Sequence, residues 1–366
     1  MSPGLRSICV LFLLFAAFSP QPGVCIPVGD WDISPYPLFW GAGLAAVYRG
    51  ASLFEGVRTS ILMGLNGSYR NVAFYRYADE TPHTPPPGTV FLSSGFGAYD
   101  DVAFNWEFGI RQGILANPEN GSDLLELFVI YRGLFKHNID NGSLIIDSGL
   151  GDAGGILLNS IVPGLALSTV RSNDRHNTRH GFRAQTSLEI APGFFLNSLY
   201  GSADFARYNL GLFFYLTLVD LGAASDNNLF SIVFSARSLF DYLFGFEIPA
   251  TARQSIGGLS SISAMGGAIR GLQAGRYDAY VKLVQNVDLR FNFPGFWILI
   301  PGVHLYLDAG LHGDLKRSLA FGVDRSFFST GAGFVLNSAF AEVGIYLDYF
   351  FNENTFSLSF FFGSQY

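Results

Sequence analysis

His176 and His180 stand four residues apart in the segment HNTRH. Two imidazoles at that spacing can share a metal ion, but a zinc site takes at least three protein ligands. No third histidine or cysteine stands beside them, and the 2 cysteines, Cys9 and Cys25, lie at the N-terminal end. The surrounding run Ser168–Phe182 is polar and rich in turn formers, so an exposed loop with solvated histidines is expected. Nothing resembles a phosphate-binding glycine loop, a nucleophile elbow or a paired-carboxylate cleft. No catalytic residue, metal or cofactor is expected, and the chain does not read as an enzyme. What remains is the chemistry of single charges in an apolar chain.

The elements that hold these charges follow from composition and period. Of 366 residues, 49% are hydrophobic and 14% charged, against about 25% charged in soluble domains. Glycine contributes 43 residues and phenylalanine 37. Such a chain is too apolar to be disordered, and an ordinary soluble enzyme could hardly hide so much apolar surface. Yet beyond the N-terminus no run reaches the ~18 apolar residues of a spanning helix. The net charge of −7, with no basic stripe, speaks against nucleic acid as a partner.

Residues 1–25 read as a secretory signal, with Arg6 before the apolar core Ile8–Phe18 and with Pro20 and Pro22 after it. Cleavage near Gly23–Cys25 is one expectation, and acylation of Cys25 as a lipoprotein is the alternative. Cleavage removing Cys25 leaves no cysteine for a disulfide or a thiolate metal site. Residues 26–366 then form one domain.

Through that domain the pattern has period two. In Tyr277–Phe293, Val281, Leu283, Val287, Leu289 and Phe291 share one face, and Lys282, Asn286, Asp288, Arg290 and Asn292 share the other. Leu305 and Leu307 oppose His304, Tyr306 and Asp308. Ile345, Leu347 and Tyr349 oppose Tyr346 and Asp348, and Tyr208–Leu218 alternates likewise against Arg207, Asn209 and Tyr215. Side chains of a strand alternate between faces, so these are strands with one apolar and one polar side. A soluble β-sandwich fits the alternation. The segments exceed the about 5–6 residues of ordinary strands and suit the ~9–11 of a strand tilted across a bilayer. Only helices and closed barrels satisfy the backbone in lipid, so a transmembrane antiparallel β-barrel is expected. Asn-Gly at Asn66, Asn120 and Asn141 is read as hairpin turns rather than as glycosylation acceptors, and Glu80–Thr89 as an exposed loop. The first strand is expected near Trp40–Arg49, where Gly41 and Gly43 would make a weak edge.

An ordered set of motifs resembles a family. The run Gly257–Tyr277, with glycines 257, 258, 266, 267 and 271, is similar to the glycine- and serine-rich loop of the BamA/TamA (bacterial surface antigen) barrel-assembly and translocation superfamily. Its Val/Ile-Arg-Gly-aromatic signature stands here as Ile269, Arg270, Gly271 and Leu272, with leucine in the aromatic position. Two strands later, Tyr306, Asp308 and Gly310 match the aromatic-x-Asp-x-Gly motif. Ser329–Phe334 and Gly344–Tyr349 resemble later strands, and Arg179–Pro192 an earlier strand opening. The C-terminal SLSFFFGSQY is similar to an outer-membrane barrel signal, with Phe360, Phe362, Gly363 and the terminal Tyr366.

The resemblance implies a barrel of about 16 strands, with the loop folded into the lumen and Arg270 meeting Asp308 while His304 and Tyr306 help seat it. It implies a bacterial outer-membrane location in contact with lipid, and a role in inserting or translocating unfolded outer-membrane or secreted clients. Members of the family carry periplasmic POTRA modules. Residues 26–40 are too few for one, so a separate periplasmic partner is expected. An outer-membrane channel or porin, and a surface antigen or adhesin, are the alternatives on the same fold.

Overall fold

The computed structural model describes residues 26–28, 31–38, 41–49, 59–72, 99–116, 123–139, 151–173, 177–222, 230–256, 269–272, 277–296, 299–313, 326–338 and 342–363. Its strands are β1 (Ile26–Val28), β2 (Trp31–Leu38), β3 (Gly41–Arg49), β4 (Thr59–Val72), β5 (Tyr99–Ala116), β6 (Asp123–Ile139), β7 (Gly155–Ser168), β8 (Arg171–Asn173) and β9 (Thr178–Ala191). They continue as β10 (Asp204–Asp220), β11 (Ser231–Glu247), β12 (Gln254–Ile256), β13 (Tyr277–Ala279), β14 (Val281–Asn292), β15 (Leu299–Gly313), β16 (Ser326–Ser338), β17 (Glu342–Phe350) and β18 (Thr355–Gly363).

These strands make one antiparallel meander in which chain neighbours are sheet neighbours, except that β8 caps β9 and that β12 and β13 pair separately. Sixteen strands share the main sheet. β1 and β8 have only three residues each, too short to cross a bilayer, so the number of strands is not a number of spans. Among the described residues no helix is long and apolar enough to cross a membrane.

The alternation sets which side of the sheet faces in. His304 and Asp308 are 0% exposed, whereas Leu305 and Leu307 between and beside them are 44% and 51% exposed. β17 repeats this, with Tyr346 and Asp348 buried and Ile345 and Leu347 exposed, and so does β10, with Arg207 and Asn209 buried and Phe214 and Leu218 exposed. The polar side is thus the enclosed one, and the sheet curls around it. The enclosed charges therefore need partners, because burying a charge without one costs several kcal/mol.

Three sequence expectations are corrected. Asn66–Gly67 is no turn: both residues lie inside β4, where Asn66 pairs with Ala45 on one side and Asn105 on the other. The residues are permissive of turns, but a two-sided ladder overrides local preference here. Gly41–Arg49 is not an edge, since β3 pairs with β2 and with β4. Pro35 and Pro37, which argue against a strand, concealed β2 in the sequence. The Ser168–Phe182 loop is shorter than expected, because β8 and the first residues of β9 occupy part of it. Asn120, Asn141, Glu80–Thr89 and residues 1–25 lie outside the described residues.

Candidate functional site

The described part of the glycine-rich run is a tight turn on the inner wall. The Leu272 N–H donates to the Ile269 carbonyl at 3.2 Å. Gly271, at the third position, has φ +80°, the value a type II turn requires there and one that favours glycine. Space imposes the same choice, because a Cβ on Gly271 would lie 3.0 Å from the Asp348 Cβ.

Apolar packing seats the turn from both sides. Ile269 and Leu272 are buried with Val284 of β14, Phe327 of β16 and Phe350 of β17. Burying two such side chains is worth roughly 1.5–3 kcal/mol each. Gly310 of β15 makes the room, since a Cβ there would lie 3.0 Å from the Ile269 Cδ1. Leucine at 272 therefore fills an apolar niche without needing an aromatic ring.

Between these anchors Arg270 reaches two carboxylates. Its Nε and backbone N–H each donate to the Asp308 Oδ2 at 2.9 Å, and its Nη2 donates to the Asp308 Oδ1 at 2.6 Å. Its Nη1 donates to the Asp288 Oδ1 at 2.5 Å. The guanidinium carbon lies 3.7 Å from the centre of the Tyr306 ring, a cation–π distance. All four residues are at least 96% buried.

The carboxylates are held in turn. The Asn286 Nδ2 donates to the Asp308 Oδ1 at 2.8 Å, and the Asn286 Oδ1 accepts from the Arg237 Nε and Nη2 at 3.0 and 2.8 Å. Arg237 thereby supports Asp308 through an oriented amide. The Tyr306 hydroxyl and the Ser359 hydroxyl both donate to Asp348, which ties β15, β17 and β18 beneath the turn. His304 meets the Tyr346 hydroxyl at 3.0 Å rather than the turn, so its expected part in seating Arg270 is indirect.

Sequence reading named Ile269, Arg270, Gly271, Leu272, Tyr306, Asp308 and Gly310, and the structure brings all of them together. It missed Asp288, Asn286, Arg237, Asp348 and Ser359. The available signal was the shared polar face of β14, where Asn286 and Asp288 stand. The missing knowledge was register: Asn286 pairs with Asp308 and Asp288 with Tyr306. Phe360, Phe362 and Gly363 lie on β18 opposite Ile345, Val343 and Glu342, with side chains outside the described residues. Tyr366, His176 and glycines 257, 258, 266 and 267 also lie outside them. His180 is exposed on β9. Among the described residues no group of three potential metal ligands occurs.

No family model matches the sequence, and no curated protein matches it. Solved structures do match by shape. One is BamA from Haemophilus ducreyi lacking POTRA domains 1–3, at a TM-score of 0.57 and 10% identity, covering 91% of this chain and 63% of that one. The chain has a BamA-like barrel fold. At that identity the likeness extends to the fold alone, and the chain spans 63% of the matched chain's length. The described turn Ile269–Leu272, which carries Arg270, packs on the inner side of the wall formed by β14–β17.

Proposed function

We propose that this chain is an outer-membrane β-barrel protein of the BamA/TamA type that inserts other proteins into the outer membrane or moves them across it, and that it is not an enzyme. The observation that carries the reading is the Arg270 turn fixed on Asp308 and Asp288. A turn ion-paired to the inner wall takes up interior space that free diffusion of solutes would need open. A barrel that keeps its interior shut while its wall works on a client does not need it open.

The working part would be the wall's edges. Pairing among the described residues runs from β1 to β18, and no ladder among them joins those two strands. Exposed strand edges template the pairing of other strands, so an unfolded client could add to β18 or β1 by backbone hydrogen bonds. The exposed leucines and phenylalanines of the outer face would contact lipid. A leader cleaved near Cys25 would deliver the chain to the outer membrane, and client chains and a separate periplasmic protein would be its partners.

Depletion of the protein in its own cell, followed by quantification of other outer-membrane proteins, tests this. Loss of several barrel proteins is expected. Unchanged levels, together with a constitutively open and solute-selective conductance in planar bilayers, would replace the reading with a channel.

A further inference from the structure

β7 outlasts its partner. Its pairing with β9 stops at Ile161–Ile190, while β7 itself begins at Gly155. The connection between β9 and β10 covers the edge left behind. The Asn159 N–H donates to the Asn197 Oδ1 at 2.6 Å, and the Asn197 Nδ2 donates to the Asn159 carbonyl at 2.9 Å and to the Pro192 carbonyl at 3.0 Å. The Asn197 side-chain amide thus replaces a strand's backbone. One residue pair along, the Leu157 N–H donates to the Tyr200 carbonyl at 2.7 Å.

This repair sits on the outer side of the wall. Asn159 alternates with the inward Ser160 and shares its side with Leu165, which is exposed. Its own amide is consumed there: Nδ2 donates to the Phe195 carbonyl at 2.9 Å, and Oδ1 accepts from the Tyr131 hydroxyl at 2.7 Å. With its polar groups spent inward, the connection turns its apolar side chains away. Phe194, Leu196 and Leu199 are 81%, 61% and 73% exposed. Leu196 holds φ +66°, a left-handed conformation that leucine adopts only when its surroundings impose it. Tyr200 stacks on Phe135 at 5.7 Å, joining the patch to outward aromatic side chains of β6. From Ala191 to Ala203 there is no charged residue.

We propose that the Pro192–Ser202 connection is a lipid-contacting patch that completes the outer wall where β9 ends, its occupant being the acyl chains of the bilayer. The inference rests on the outer-membrane reading above. Water would solvate the open backbone edge of β7 and disfavours three neighbouring apolar side chains turned outward. Hydrocarbon makes the opposite demands, and the connection meets both. Its lack of charge and its continuity with the exposed Ile190 and Leu165 fit lipid better than a polar-rimmed protein partner.

Spin labelling tests it in the full chain with Cys9 and Cys25 changed to Ser. A nitroxide is placed at Phe194→Cys and, separately, at Leu347→Cys on the outer face of β17, in phosphatidylcholine vesicles, with folding checked by heat-modifiable gel mobility. High accessibility to oxygen and low accessibility to a nickel chelate at both sites is expected. A water-like label at 194 beside a lipid-like label at 347 overturns the patch and leaves the membrane reading standing. Water-like labels at both sites overturn both. Asn197→Ala should raise nickel accessibility at 194 and sharpen its spectrum, and an unchanged spectrum would show that Asn197 does not hold the patch.

Discussion

Asp308 grips Arg270 twice over, taking Nε and Nη2 of the guanidinium on its two oxygens and the backbone N–H of the same residue on Oδ2. A carboxylate that binds only a side chain can follow that side chain as it moves. One that also binds the main chain fixes the turn itself on the wall.

Removing the carboxylate should therefore cost more than an ordinary ion pair. Asp308→Ala leaves Arg270 buried with Asp288 as its remaining carboxylate, and a loss of about 3–5 kcal/mol in folded-state stability is expected. Asp308→Asn keeps the acceptor geometry at one oxygen and should cost less. Combining Asp308→Ala with Arg270→Ala should recover part of the loss, because the pair is coupled. Urea titration of the folded, heat-modifiable form measures all three. A simple sum for the double variant would show that the contact carries no coupling.

Gly271 tests the turn rather than the charge. Gly271→Ala places a methyl 3.0 Å from Asp348 Cβ at φ +80°, so the turn must shift or strain by about 1–3 kcal/mol. The expected phenotype is a barrel that still folds, with the turn released: in planar bilayers its conductance should exceed that of the parent. Conductance equal to the parent's would mean that the turn tolerates the methyl in place.

What the sequence disclosed and what it withheld divide along one line. Period two separates Asp308 from Leu307 and Lys282 from Leu283, so the faces of the wall were legible throughout. Which strand lies opposite which, and at what offset, was not. Asp288 reaches Arg270 only because it pairs with Tyr306, and nothing local to Asp288 announces that. Asn66–Gly67 misled for the same reason, since its turn preference is local and its partners Ala45 and Asn105 are distant. Asn197 gave no signal at all: an asparagine in a loop is ordinary until the unpaired edge of β7 lies beside it.

Tyr306 carries two functions that substitution can separate. Tyr306→Phe removes the hydroxyl that donates to Asp348 and keeps the ring beneath Arg270. Ser359 still donates to Asp348, so the loss should stay near 1–3 kcal/mol. Tyr306→Leu removes the ring as well and should add the cation–π contribution, up to about 2 kcal/mol in a desolvated place. Thermal unfolding in detergent should rank the parent above Phe and Phe above Leu. Equal losses for Phe and Leu would show that the ring gives Arg270 nothing.

A second buried ion pair offers an independent check on how the interior is built. The Arg207 Nη1 donates to the Glu189 Oε2 at 2.8 Å, Ser160 donates to the other Glu189 oxygen at 2.7 Å, and the Arg207 Nη2 donates to the Ala252 carbonyl. This cluster joins β7, β9 and β10 to the beginning of the connection whose far part carries Arg270. Glu189→Ala should cost about 3–5 kcal/mol by leaving Arg207 without its carboxylate. The cluster shares no residue with the one around Asp308, and for separate sites the losses should add to within about 0.5 kcal/mol. Urea titration of Glu189→Ala, Asp308→Ala and the double variant decides the point. Additivity would mean that the connection is pinned at two independent places along its length. A clear shortfall from additivity would mean that freeing one end already frees the other, making the whole connection a single cooperative unit.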